Sequence, residues 1–273
     1  MSTPTDLQAV IDTATAAAGP RELALGRVYA FRTPGGIETV DLYDTHREFP
    51  RRKTGTTTVR DAVSFTALWT KHADADSEIY ADADRFVITA VLDASTEEAD
   101  GARWGTHRLG LSLRKTDAWN EWNRLDGEYL AQEQFAEFLE DHLGDLQEPS
   151  AADMMEIAQS VRGATKAEFS SGTRLQSGQR TFQYTETVNA AAGAKGQLTV
   201  PETFTIGLLP FEGLTEGYKL TARLRYRIGR DSGLTLGYKL NQPRDVLLAA
   251  FADVRKAISE QVDTPILNGT PAA

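Results

Sequence analysis

Cysteine is absent from the 273-residue sequence, which removes disulfides, thiolate nucleophiles and cysteine-ligated zinc or iron–sulfur sites together. Oxygen and nitrogen chemistry is what remains. Histidine is scarce: His46, His72, His107 and His142 are the full set of 4, and no two stand at the spacing of a helical zinc site. Long apolar runs are missing as well. No window approaches the ~18 uninterrupted apolar residues of a bilayer span. The first residues lack the basic segment and hydrophobic stretch of a signal peptide. The expectation is a cytoplasmic protein that does not enter a membrane.

Positive charge is in deficit, with 29 Lys and Arg against 39 Asp and Glu and a net charge of −10. Such a chain repels polyanions at long range, so an anion-binding surface would need a locally segregated basic face. Familiar catalytic patterns are lacking too. There is no Gly-x-x-x-x-Gly-Lys-Ser/Thr loop for a triphosphate. Ser170-Ser171-Gly172 and Ser177-Gly178 lack the strand-to-helix Gly-x-Ser-x-Gly setting of a nucleophile elbow. These gaps favour a protein that is not an enzyme and carries no cofactor or metal.

What is present has the balance of a folded protein: 41% hydrophobic and 25% charged residues. Leu7, Val10, Ile11 and Ala14 recur at helical spacing over 5–18, and Gly19-Pro20 ends that helix. Apolar stretches on either side of Thr33-Pro34-Gly35-Gly36 predict a hairpin. Residues 44–55 read as a basic loop, followed by a helix over 58–72 with Val59, Val63, Leu68 and Trp69 on one face. Strands are expected at 79–81, 86–92 and 104–113. Helical intervals then dominate 117–161, with Pro149 dividing two helices.

Strand patterns return at 168–171, 180–188, 199–209, 218–228 and 234–240, with the Ala/Gly-rich 189–196 as a loop. A last helix covers 244–262, with Pro243 in its first turn and Asn241 or Gln242 as cap. The predicted class is α+β, mainly antiparallel sheet with a helical insertion and a C-terminal helix. The chain divides into an N-terminal α+β segment (1–116), a helical insertion (117–162) and a β-rich segment with the C-terminal helix (163–273), all within one domain.

The most regular chemical pattern runs from Tyr218 to Arg230. Leu220, Ala222, Leu224, Tyr226 and Ile228 alternate with Thr221, Arg223, Arg225 and Arg227, so a strand here projects three guanidinium groups from one face. Like charges so placed repel unless carboxylates, a partner subunit or an anionic ligand lies over them. A second basic group, Arg47, Arg51, Arg52 and Lys53 with Phe49 and His46, reads as a solvated loop or as a contact to a phosphate backbone. Asp74-x-Asp76 and Asp82-x-Asp84 match a magnesium-holding pattern but flank strand ends, where Asp serves as a turn former. Trp104, Trp119, Trp122, Tyr129, Phe135 and Phe138 are assigned to core packing, with a ligand pocket in or near the helical insertion as the alternative.

Lys166 to Glu186, Ile206 to Phe211 and Leu220 to Tyr226 resemble the YfdQ-like family of phage and prophage proteins, a likeness running through most of the chain. The resemblance implies a tailed-phage or prophage gene product and carries over no active site. The leading expectation is a non-enzymatic phage or prophage accessory protein that self-assembles and binds an anionic partner through Arg223, Arg225 and Arg227. Three alternatives stay open. One is a single-stranded nucleic-acid binder using the same strand with Arg47, Arg51, Arg52 and Lys53. Another is an anti-defence protein that sequesters a nucleotide, and the last is an enzyme with magnesium held by dispersed carboxylates such as Asp82, Asp84 and Glu168.

Overall fold

A computed structural model describes residues 7–12, 23–33, 35–43, 49, 52–96, 101–160, 162–164, 189–192, 198–229 and 233–272. Contacts divide the chain into two units, residues 1–54 and 55–273. In the first unit, residues 7–12 are helical (α1). Val28–Thr33 (β1) and Gly36–Asp41 (β2) form the expected antiparallel hairpin. Tyr29 and Phe31, two residues apart, share one face of it with ring centroids 6.4 Å apart.

The second unit runs β3 (Gly55–Val59), α2 (Ala62–His72), β4 (Glu78–Asp82), β5 (Val87–Val91), β6 (His107–Ser112) and α3 (Asp117–Arg124). It continues with β7 (Tyr129–Ala131), α4 (Gln132–Asp141), a 3-10 turn (Leu143–Asp145), β8 (Leu146–Glu148), α5 (Ala151–Ser160), β9 (Arg162–Ala164), β10 (Asn189–Ala192) and β11 (Leu198–Thr199). Last come β12 (Thr203–Leu208), β13 (Tyr218–Gly229), β14 (Gly233–Leu240), α6 (Pro243–Ser259) and β15 (Ile266–Asn268). This is an α+β fold.

One five-stranded sheet has the order β15-β4-β5-β6-β3, antiparallel at its centre, with β15 parallel to β4 and β3 parallel to β6 at the edges. The other, β7-β14-β13-β12-β8, is antiparallel throughout. A small third sheet joins β9, β10 and β11. Alternation sets what each strand buries. Ile79 and Ala81, Ile88 and Ala90, and Leu109 and Leu111 point inward from the first sheet, as do Phe204 and Ile206, Leu220 and Ala222, and Leu236 and Tyr238 from the second. All belong to one apolar core with Phe65 and Trp69 of α2, Trp119 and Trp122 of α3, and Leu247, Phe251, Val254 and Ile258 of α6.

The densest region of that core is aromatic. Trp122 has no exposed surface; its ring centroid lies 4.9 Å from that of Phe138 and 5.1 Å from that of Tyr238. The Tyr238 hydroxyl donates to the Trp122 carbonyl at 2.7 Å. Burial pushes the Tyr238 phenol far above the ordinary 10.0, with Asp126 adding to the rise. At the start of β13, burial and a 2.6 Å hydrogen bond to Asp253 push Tyr218 up to about 12. In both cases the fold favours the neutral phenol. The stabilisation is therefore complete below pH 10.0 and is lost as the pH rises above it toward the folded-state values. Urea midpoints measured from neutral to strongly alkaline pH should fall above about pH 10, and less steeply in Tyr238→Phe; parallel curves for the two proteins would refute the assignment.

Several expectations need correction. Residues 55–59 are a strand, since Thr56, Thr57, Thr58 and Val59 are β-branched and pair with β6. The helix begins only after Asp61, whose carboxylate accepts from Ser64 N–H at 2.7 Å. The buried face of α2 is Phe65 and Trp69, while Val63 is 78% exposed. Asn189–Ala192 pairs with both its neighbours rather than looping. Gln242 occupies the cap of α6 with a left-handed φ of 49° but makes no side-chain capping bond. Trp104 is 73% exposed and lies outside the core. The strands expected at 168–171 and 180–188 lie outside the described residues. Residues 117–162 contribute both edge strands of the second sheet, β7 and β8. Among the described residues no helix is long and apolar enough to cross a membrane.

Candidate anion-binding sheet face

The inward face of β13 is fixed by Leu220, Ala222 and Leu224, so the alternate residues stand on the opposite face of the sheet. Lys219, Thr221, Arg223 and Arg227 are exposed there, and Arg225 is half-buried. Register places the neighbours. Arg223 faces Thr203 on β12 and Lys239 on β14; Thr221 faces Thr205, and Arg227 faces Thr235. Directly paired residues share a face, so five cations and four threonines stand on this one surface.

Two glycines admit neighbouring groups onto this face. Arg225 lies opposite Gly237, and a Cβ on Gly237 would stand 2.0 Å from the Glu128 carbonyl oxygen, so β7 can approach only because that atom is missing. At Gly207, paired with Lys219, the Gln147 amide occupies the space a Cβ would take and sets a polar group on the same face.

The cations differ in what holds them. Lys239 is paired with Asp126 at 2.5 Å. Asp126 also accepts the Leu240 N–H at 2.7 Å, which anchors the carboxylate on β14. The Arg227 guanidinium lies over the Tyr129 ring of β7, 4.0 Å from its centroid. Lys219, Arg223 and Arg225 have no carboxylate of the described residues within 4.0 Å. In a protein of net charge −10, this leaves three cations on one sheet face with no counter-charge among the described residues within ion-pair distance.

The other basic group divides. Arg47 and Arg51 lie outside the described residues, whereas Arg52 and Lys53 are exposed at the end of the first unit. Sequence reasoning did not single out Lys219 or Gln147, and it assigned Tyr129 to core packing, whereas Tyr129 lies outside the core cluster and under Arg227. Lys219 continues the alternation of Thr221 to Arg227 and was legible; Gln147 and Tyr129 reach this face only through strand pairing.

The acidic motifs take the turn-forming role. Asp82 accepts from the backbone N–H groups of Asp84 and Arg85 at 3.0 and 3.1 Å, and Asp84 pairs with Arg244 at 2.6 Å. Asp74 accepts from Asp76 N–H and the Ser77 hydroxyl and pairs with Arg103 at 2.8 Å. Desolvation raises the Asp74 carboxyl, but the hydrogen bonds from Arg103 and Ser77 outweigh it and hold it below 3.8. Among the described residues no group of three or more His, Asp or Glu is placed to hold a metal ion; Glu168 lies outside them. A cavity of about 410 Å³ does exist, lined by Asp61, Glu212, Glu216 and Asp253 over Leu214 and Val254. Its charge is the wrong sign for an anion.

Fold and surface together define an α+β protein with a cationic face on its second sheet. The chain belongs to the DUF2303 family, described as an uncharacterized conserved protein, which matches residues 3–271. No curated protein and no solved structure matches it.

Proposed function

We propose that this is a non-enzymatic binding protein that presents the outer face of β12, β13 and β14 to an anionic partner. The observation that carries the reading is the row Lys219, Arg223 and Arg225, exposed or half-exposed and without a carboxylate partner among the described residues. The resemblance to YfdQ-like proteins supports a phage or prophage accessory role in the cytoplasm of the host cell. Self-assembly belongs to the same proposal and is supported by β3, which among the described strands pairs with β6 alone and is exposed along Gly55–Thr58. Open edges favour strand addition.

Retention on immobilised heparin tests the anion reading. Despite its net negative charge the protein should bind at low ionic strength and elute sharply with salt. The Arg223→Glu/Arg225→Glu pair should run in the flow-through, while Arg114→Glu, outside β13, should elute with the parent. Failure of the parent protein to bind would remove the proposal. Light scattering on the same preparation should read a multiple of the monomer mass; a monomer at every concentration would remove self-assembly.

A further inference from the structure

We infer that the anionic partner is a single-stranded nucleic acid laid along β13, with its phosphates along the row Lys219, Thr221, Arg223 and Arg225 and a base stacked at the Arg227–Tyr129 pair. This rests on the anion-binding reading above and specifies its ligand. The first argument is spacing. Alternate residues of a strand lie about 7 Å apart, a repeat of the same order as the separation of successive phosphates in an extended nucleic-acid strand. Positions 219, 221, 223, 225 and 227 thus form a ruler of that period, with a threonine hydroxyl at 221 and guanidinium or ammonium groups elsewhere. Thr203 and Thr205 flank the row on β12. Hydroxyl donors beside arginines are the usual company of phosphate and sugar oxygens.

The second argument is the aromatic end. The Arg227 side chain is exposed, and its guanidinium is held by the Tyr129 ring beneath it. A guanidinium so fixed offers a planar upper surface on which an unpaired base can stack, with the ring continuing the stack below. A sulfated polysaccharide has no flat group to use it, and in a duplex the bases are already stacked and paired. The long-range repulsion of a −10 protein also weighs most against the dense charge of a duplex.

Fluorescence anisotropy with labelled oligothymidylate, a duplex of equal length and labelled heparin separates the possibilities. The full-length protein should prefer the single strand to the duplex. For three to four phosphate contacts, log K should fall against log salt with a slope of about −2 to −3, and Arg223→Ala or Arg225→Ala should each lower that slope by about 0.7. Tyr129→Ala should weaken oligothymidylate binding by about tenfold or more and leave heparin binding unchanged, while Tyr129→Phe should retain both. Circular dichroism confirms that each variant folds. Binding to heparin without binding to oligothymidylate, a preference for the duplex, or a Tyr129→Ala loss equal for both polyanions would overturn the nucleic-acid assignment and leave the anion-binding face standing. Loss of all three interactions would overturn both.

Discussion

Trp122→Ala should cost about 3–5 kcal/mol, the range for removing a large buried aromatic side chain, and this is a large share of the ~5–15 kcal/mol that holds a typical domain folded. The reasons are local. Trp122 is fully buried among Phe138, Tyr238 and Phe204, and its indole N–H donates to Asp145 at 2.8 Å. Truncation opens a cavity between α3, α4 and β14, and also takes a charge-assisted donor from a carboxylate. Urea unfolding followed by far-ultraviolet circular dichroism should show a much lower midpoint for Trp122→Ala. Trp122→Phe should fall between, since it keeps a ring and loses the hydrogen bond. A midpoint equal to the parent's would show that the aromatic cluster does not hold the second sheet to its helices.

Gly237→Ala should act on the site and the fold together. The added Cβ meets backbone, the Glu128 carbonyl oxygen at 2.0 Å and its carbon at 3.2 Å, and neither can rotate away as a side-chain tip would. β7 must therefore retreat from β14. Overpacking of this kind costs about 1–3 kcal/mol. Tyr129, paired directly with Gly237, moves with the strand and no longer supports Arg227. The expected result is a lowered unfolding midpoint together with weaker binding of oligothymidylate. By contrast Gly207→Ala meets only the flexible amide of Gln147 and should cost less stability; equal losses at the two glycines would refute the argument.

The strands were easiest to read where alternation was strong. Leu220 to Arg227 declared both its strand and its two faces, because apolar and charged residues take strict turns there. Ile79 to Ala81 and the run ending at Leu92 were equally plain. The β-branched Thr56 to Val59 carried a strand signal, but the following helix pattern overlapped it and hid the boundary that Asp61 sets by capping. Tyr129–Ala131 and Leu146–Glu148 are three residues each, too short to show a period, and become strands only because β14 and β12 offer them partners. Val63 failed for another reason: helical spacing identifies a stripe only when neighbours agree, and Phe65 with Trp69 defines a different one. At the candidate site the arginines were legible and their surroundings were not. Which cations find a carboxylate and which lie open is a property of register and tertiary approach.

The pairing of β15 with β4 ties a late strand to an early one, in parallel, at the edge of the first sheet. Its inward residue Ile266 is buried, and Arg255 of α6 clasps the segment by donating to the Ile266 carbonyl at 2.8 Å and the Asn268 side chain at 2.6 Å. On a ribosome β4, β5 and β6 emerge long before α6 and β15. The nascent chain must therefore carry an unfinished sheet edge until Ile266–Asn268 has been made, and that segment then acts as the clasp that closes it.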